Sequence, residues 1–197
     1  MPSPAYPALA ALAFLAACGA TTAATPMRMG ADGRPVPVIY RITDRDVPEI
    51  QARLRDAINT VRQQRGLVPV EYDLALASAA ATHARDMAVQ GRPWHFGSDG
   101  SSPLDRVRRV GYTGYFIGEA VSETYETELE TLTAWLSQPD TRAIILDPRA
   151  RDLGFAWHQE EAGKLWWSLA LGASGLPAET AQLIQQPAPF ADTRPNR

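Results

Sequence analysis

One irregular stretch of the chain holds the side chains best suited to chemistry. It runs from Trp94 to Glu119 and places His95 and Glu119 beside aromatic and glycine residues that can shape a cleft. Glycine, serine, aspartate and proline at 97–103 favour turns over a long helix. An imidazole and a carboxylate can move protons or bind a divalent cation. We therefore expect the functional site in this stretch, because loops on a rigid scaffold often carry function.

The sequence offers this pair no nucleophile. The segment 172–175 is Gly-Ala-Ser-Gly, which lacks the Gly-x-Ser-x-Gly spacing of a nucleophile elbow, and His-Glu-x-x-His is absent from the chain. Glycines 111–118 lack the Lys-Ser/Thr of a phosphate-binding loop. Three functions stay open: a binding module, a hydrolase of peptide or cell-wall bonds that uses Glu119 with His95, and a structural envelope protein with a vestigial cleft.

Composition favours one globular domain and argues against nucleic acid. The chain has 197 residues, 45% of them hydrophobic, which is enough for one sizeable core. Its net charge is −3 and no segment is strongly basic, so nucleic acid is not an expected partner. Arg106, Arg108 and Arg109 form the one basic cluster, which we expect to be a solvated helix face.

The N-terminus predicts export and a lipid anchor. Residues 1–17 contain an apolar run too short for a permanent membrane span, which is typical of a signal peptide. This run ends in Leu15-Ala16-Ala17-Cys18, which resembles the bacterial lipobox, and Cys18 is the sole cysteine. We expect lipidation of Cys18 and attachment to a membrane, with an ordinary secretory signal as the alternative. Gly19 rather than Asp after the cysteine resembles the pattern of Gram-negative lipoproteins of the outer membrane, which implies a domain that faces the periplasm.

The rest of the chain divides into a tether, a domain and a tail. Residues 18–45 are predicted to be a tether, in which the β-prone segment 38–43 adds an edge strand. Residues 46–175 form the predicted domain. Residues 176–197, rich in proline and polar side chains, are predicted to be a loose tail.

Hydrophobic spacing predicts several helices inside the domain. Asp46 and Glu49 resemble a capping box before a helix that ends at Gly66. Asp73 caps a second helix, about 74–90, whose small alanine face lets another element approach closely. His83 on this helix is expected at the edge of the core, bonded to a backbone carbonyl.

Shorter elements complete the scaffold. A helix over 103–110 turns Leu104 and Val107 inward, and a helix over 124–136 has Leu129, Leu132 and Leu136 on one face. A further short helix from Pro139 is expected to bury Ala143, Ile144 and Leu146. Segments 153–157 and 164–171 form a hairpin. Helices followed by a short antiparallel sheet indicate an α+β fold.

In this order, the pieces resemble the CAP superfamily (cysteine-rich secretory proteins, antigen 5, pathogenesis-related 1), in its bacterial SCP-domain branch. The resemblance covers about 50–172. The matching pieces are Arg62–Leu67, Tyr72–Leu76, His83–Met87, Trp94–Phe96, Ser98–Arg106, Gly111-Tyr112, Gly118-Glu119, Trp135, Pro139, Arg142–Leu146 and Leu153–Phe155. It implies the three-layer α-β-α sandwich of that superfamily.

The resemblance also implies a cleft with two histidines and two acidic residues that can hold a divalent cation such as zinc. His95 matches the first histidine and Glu119 the acid of the Gly-Glu-Asn motif. The asparagine of that motif is Ala120 here, and the bacterial second histidine is Thr141. In the eukaryotic pattern the second acid would fall near Gln138 and the second histidine near Trp166.

Half of the implied ligand set is therefore missing. A catalytic zinc site needs about three protein ligands, and only His95 and Glu119 remain, with Asp140 as a candidate third. We therefore expect no tight metal binding. The expected function is a non-catalytic binding module. Its cleft, lined by Trp94, His95, Tyr112, Glu119 and Trp166, would accept a small apolar ligand, a glycan-like ligand or a protein partner.

Overall fold

The structure is a computed structural model that describes residues 27–29, 33–37, 40–123 and 127–175. The chain divides into two units, 1–39 and 40–197. In the first unit, β1 (Met27–Met29) pairs antiparallel with β2 (Pro35–Pro37). The predicted signal peptide, Cys18 and the predicted tail lie outside the described residues.

The second unit is built on a four-stranded sheet. Its strands are β3 (Glu71–Tyr72), β4 (Tyr115–Glu123), β5 (Asp152–Gln159) and β6 (Leu165–Ala173), in the spatial order β3-β5-β6-β4. The predicted hairpin is β5 with β6, and β4 also pairs antiparallel with β6, whereas β3 runs parallel to β5. None of the described helices is long and apolar enough to cross a membrane.

Within the described residues, five helices cover the two faces of this sheet. They are α1 (Val47–Gln63), α2 (Leu74–Gln90), α3 (Pro103–Arg109), α4 (Glu128–Ser137) and α5 (Pro139–Ile145). Every residue of β6 is buried, and its side chains alternate between the faces. Trp167, Leu169 and Leu171 pack with α1, α4 and α5, whereas Trp166 and Ala170 pack with α2 and α3. This confirms the predicted α+β fold and its three α-β-α layers.

Helix α2 lies against the sheet at unusually short range. Asp73 caps it as predicted, since its Oδ1 accepts a hydrogen bond from the Leu76 amide. A Cβ built on Gly154 of β5 would lie 2.1 Å from the Leu76 carbonyl carbon. The buried Ala80 and Ala84 continue this small-residue contact. The prediction of a central helix with a close-packed alanine face is confirmed.

Two predictions at the start of the domain are wrong. Asp46 forms no side-chain cap on α1, because its Oδ2 instead accepts hydrogen bonds from the amide and hydroxyl of Thr43. The predicted edge strand does not extend over residues 40–43, and Val38 and Ile39 lie outside the described residues. In place of a strand ladder, the Gln159 side chain pairs with the Ile42 amide and the Tyr40 carbonyl.

Three shorter helices are rotated from their predicted orientation. In α3, Leu104 is 38% exposed and Arg106 is buried beside Val107. In α4, which begins at Glu128, Leu129 is 44% exposed while Leu132 and Trp135 fill the core. Residues 124–126, where this helix was predicted to begin, lie outside the described residues. In α5, Ala143 is exposed, Ile144 and Leu146 are half-buried, and Ile145 is the buried residue.

Candidate functional site

The site is organised around a buried carboxylate, that of Glu119 on strand β4. Glu119 lies opposite Ala170 of β6, on the sheet face that α2 and α3 cover. Only 7% of the residue is exposed. A carboxylate at such a position is costly unless a positive charge and hydrogen-bond donors accompany it.

Arg106 supplies that charge. Its Nη2 lies 2.9 Å from both carboxylate oxygens of Glu119, and its Nη1 donates to the Ser101 carbonyl at 3.1 Å. A capping box formed by Ser102 and Asp105 begins α3 and fixes its first turn, which brings Arg106 inward. Arg106 is 5% exposed, so the expectation of a solvated face is wrong for this arginine. Arg108 and Arg109 are exposed as predicted.

The structure brings His95 to Glu119, as the sequence predicts. The Nδ1–H of His95 donates to Glu119 Oε1 at 3.0 Å and joins the loop after α2 to strand β4. This hydrogen bond raises the pKa of His95 and outweighs the opposing effect of partial burial. The His95 side chain is 53% exposed. Its second ring nitrogen therefore stays available to a ligand.

A second histidine lies beneath the pair. His83 is fully buried, and its Nε2–H donates to the Trp94 carbonyl at 2.9 Å, which confirms the predicted backbone contact. The same nitrogen is 3.6 Å from Glu119 Oε1. Burial lowers the pKa of His83, although the nearby Glu119 charge acts against it. This imidazole is therefore neutral near pH 7.

Gln90, the last residue of α2, holds the loop that carries His95. Its Oε1 accepts a hydrogen bond from the Trp94 indole at 2.6 Å, and its Nε2 donates to the Phe96 carbonyl at 3.0 Å. The rings of Trp94 and Phe96 lie 5.5 Å apart, and the guanidinium carbon of Arg92 lies 3.4 Å from the Trp94 ring centroid. Arg92, Trp94 and Phe96 therefore form a small cluster beside His95 in the chain. Phe96 in this cluster is 48% exposed.

Tyr112 and Trp166, predicted to line the same cleft, lie in other parts of the core. Tyr112 packs in a cluster with Leu76 and Val107, and its hydroxyl donates to Asp152. Burial raises the pKa of this hydroxyl. Trp166 is 1% exposed and packs with residues of α2. Trp166 therefore offers a ligand no open surface, and Tyr112 borders a different cavity, lined by residues of α3 and of the segment 112–116.

The residues present do not fit a divalent cation. Both oxygens of Glu119 accept hydrogen bonds from Arg106, so a cation would have to displace a guanidinium charge from a buried position. Asp140, the candidate third ligand, is exposed in the first turn of α5. Across the described part of the chain, no three His, Cys, Asp or Glu residues are grouped so as to hold a metal ion.

Sequence reasoning missed two members of this site. Arg106 was assigned to the surface because three arginines within four positions suggest a solvated face. The signal that could have identified it is Glu119 itself, because a carboxylate expected in a partly buried cleft needs a cation nearby. The position of His83 near Glu119 had no such signal, since it follows from how α2 packs across β5 and β6.

Comparisons with known proteins agree with this architecture. A Bacillus subtilis protein, uncharacterized protein YkwD, is 25% identical over 126 residues, which are 64% of this chain and 48% of the relative. The chain thus spans about half the length of that relative. Similar solved structures include an outer surface protein from Borrelia burgdorferi, with a TM-score of 0.59, 18% identity, and coverage of 69% of this chain and 98% of that one.

A Bacillus anthracis extracellular protein with an SCP domain has the same fold. It gives a TM-score of 0.60 at 18% identity and covers 72% of this chain and 47% of that one. The model of the cysteine-rich secretory protein (CAP) family matches residues 55–171, which include both Glu119 and Arg106. The chain therefore belongs to the CAP family.

Proposed function

We propose that this chain is a lipid-anchored envelope protein whose CAP domain is a non-catalytic binding module. The observation that carries the proposal is the buried contact of Arg106 with both oxygens of Glu119, at 2.9 Å. A general acid or base must give its proton to a substrate or take one from it. Both oxygens of this carboxylate already accept hydrogen bonds from the guanidinium, so neither is positioned to exchange a proton with a substrate. Glu119 therefore orients His95 and does not act on a substrate.

The surface around His95 suits a ligand with carboxylates and sugar rings. The imidazole is half-exposed, and its raised pKa increases the fraction that is positively charged near pH 7. Arg92 adds a second positive charge, and Phe96 adds an exposed ring on which a sugar or an apolar side chain can pack. We favour the cell-wall polymer as the ligand, because its glycan strands carry acidic peptides.

Co-sedimentation with purified cell-wall sacculi tests this binding. The mature chain is expected to sediment with sacculi and to release no soluble fragments detectable by mass spectrometry. His95→Ala should weaken sedimentation at least tenfold. The matched control is Arg65→Ala, an exposed residue after α1, which should bind like the native chain. Absence of sedimentation by the native chain would contradict the binding proposal.

The alternative is a hydrolase, and one observation favours it. A carboxylate hydrogen-bonded to an imidazole at 3.0 Å leaves the second ring nitrogen free to act as a base on water. Such an enzyme would release peptides or sugar fragments from sacculi. The native chain would release these fragments and His95→Gln would not. That pair of results would favour the hydrolase over the binding module.

The proposed anchor has its own experiment. The support for it is the sequence Leu15-Ala16-Ala17-Cys18, followed by glycine. In cells fed an alkyne-bearing fatty acid, the native chain should carry the label and fractionate with the outer membrane. Cys18→Ser should remove the label and the membrane association. A native chain that carries no label, or a Cys18→Ser chain that keeps it, would contradict the anchor.

A further inference from the structure

Three nitrogen-bearing side chains converge on one buried carboxylate. Glu119 Oε1 lies 2.9 Å from Arg106 Nη2, 3.0 Å from His95 Nδ1 and 3.6 Å from His83 Nε2. Two imidazoles and a carboxylate are donors that first-row divalent cations accept. Ligand atoms around a tetrahedral zinc lie about 3.3 Å apart, which follows from metal–ligand distances of about 2.0–2.1 Å. The two imidazole nitrogens lie near that spacing from Glu119 Oε1, yet the described residues form no group that could hold a metal ion.

The position that a cation would take beside this carboxylate is occupied by a side chain. Arg106 Nη2 reaches both oxygens of Glu119, and the side chains of both residues are only 6% exposed. The other terminal nitrogen of Arg106 is anchored too, because Nη1 donates to the Ser101 carbonyl just before α3. Its charge is permanent, since a guanidinium is not deprotonated in proteins.

We infer that Arg106 is a built-in replacement for a metal ion, and that it makes this site refractory to divalent cations. The guanidinium satisfies the carboxylate, and the carboxylate in turn holds His95 in place. A metal would have to expel a buried positive charge and also break the His83 contact with the Trp94 carbonyl. The inference does not depend on the ligand proposed above, because it concerns the charge balance within the domain.

Zinc titration by calorimetry tests this inference on the mature chain without an affinity tag. The native protein should bind zinc weakly or not at all, and chelator should not change its melting temperature. Arg106→Ala opens the position, so its affinity for zinc should be at least tenfold higher than that of the native protein. That gain should disappear in the double variant Arg106→Ala/Glu119→Gln, because the carboxylate is then lost as a ligand.

A small cation should also substitute for the missing side chain. Millimolar guanidinium, far below denaturing concentrations, should raise the melting temperature of Arg106→Ala but not that of Arg109→Ala, whose partner Asp99 is exposed. If Arg106→Ala does not fold, Arg106→Gln keeps most of the side-chain volume and serves in the zinc titration.

Two results would overturn the inference. One is stoichiometric zinc binding by the native chain, together with loss of that binding in Glu119→Gln. This result can be measured whether or not the arginine variants fold. The other is equal zinc affinity of the native chain and a folded Arg106 variant.

Discussion

The guanidinium of Arg106 lies 2.9 Å from both carboxylate oxygens of Glu119, and each side chain is 6% exposed. The two residues come from different layers of the fold, a short helix and an edge strand of the sheet. Their contact joins those layers. It also determines what the carboxylate can do, because its oxygens are engaged before any ligand arrives.

Removing one partner of this pair should be strongly destabilising. Arg106→Met leaves the buried carboxylate of Glu119 with its His95 hydrogen bond but without its guanidinium counter-charge, and we expect a loss of about 3–5 kcal/mol in the free energy of unfolding. Arg109→Met is the matched control. The side chains of Arg109 and its partner Asp99 are 62% and 52% exposed, and exposed ion pairs add less than about 1 kcal/mol to the free energy of unfolding. Urea unfolding of both variants checks this. Similar losses in the two variants would contradict it.

His95 and His83 should make the free energy of unfolding depend on pH in opposite directions. His95 has a raised pKa in the folded state, so its contribution is fully present below its ordinary pKa of 6.5 and is lost as the pH rises through the folded value. His83 has a lowered pKa, so stability is lost as the pH falls below 6.5 towards the folded value. Both rings face Glu119 and Arg106, and Asp86 also acts on His83.

Replacing the exposed histidine should separate these effects. His95→Gln removes the stabilisation that the native chain gains as the pH falls from above the folded pKa of His95 to about 6.5, and it leaves the loss due to His83 below that pH unchanged. Between about pH 8 and pH 6.5 the native chain should therefore gain stability relative to the variant, by up to about 1.4 kcal/mol per pH unit, and below pH 6.5 the two should lose stability in parallel. Urea unfolding from about pH 8 to pH 5 measures both slopes. A variant whose stability runs parallel to that of the native chain above pH 6.5 would contradict the assignment.

Gly154 should tolerate no side chain. An added Cβ would lie 2.1 Å from the Leu76 carbonyl carbon and 2.3 Å from the Ala77 amide nitrogen, and neither backbone atom can move without shifting α2. Gly154→Ala should therefore cost about 3 kcal/mol, the upper end for overpacked cores. Gly100→Ala is a useful comparison, because its Cβ meets open space and only its positive φ of 79° is strained. Gly100→Ala should lower the free energy of unfolding by about 1–2 kcal/mol. Thermal unfolding measures both variants, and an equal fall in their melting temperatures would contradict the close contact of Gly154 with α2.

Arg62 is a second buried arginine, but its role is to bind backbone carbonyls. Its guanidinium donates to the carbonyls of Val68, Ile145, Asp147 and Ala150 at 2.8–3.1 Å. Arg62→Met leaves these acceptors without their donor, and we expect a loss of at least about 3 kcal/mol. The exposed Arg65→Met should change stability by less than about 0.5 kcal/mol. Chemical denaturation that shows a loss below about 1 kcal/mol for Arg62→Met would contradict this role.

The sequence predicted the main scaffold because hydrophobic spacing in long elements is strong. Helices α1 and α2 each present an apolar face over several turns, and β5 and β6 are apolar along most of their length. Short elements gave weaker signals. In the seven residues of α3, Leu104 and Val107 suggested one inward face, but the buried charge of Glu119 draws Arg106 inward and leaves Leu104 at the surface.

The site was predictable only in part for a related reason. His95 and Glu119 were identified by their surroundings and by the family resemblance, and the structure brings them together. Tyr112 and Trp166 were assigned to the cleft by their aromatic character, which also suits a buried core. Both rings pack in the core of the fold. Gly172 and Gly114 leave room for the Tyr112 ring, and α2 covers Trp166.

A double-mutant cycle on Arg106 and Glu119 tests most directly that the carboxylate is neutralised from within the domain. The free energy of unfolding is measured for the native chain, Arg106→Met, Glu119→Gln and the double variant. The account predicts a coupling energy of about 2 kcal/mol or more, because the double variant leaves no unpaired buried charge. Single losses that add to within about 0.5 kcal/mol would show that the two side chains act independently and would contradict it.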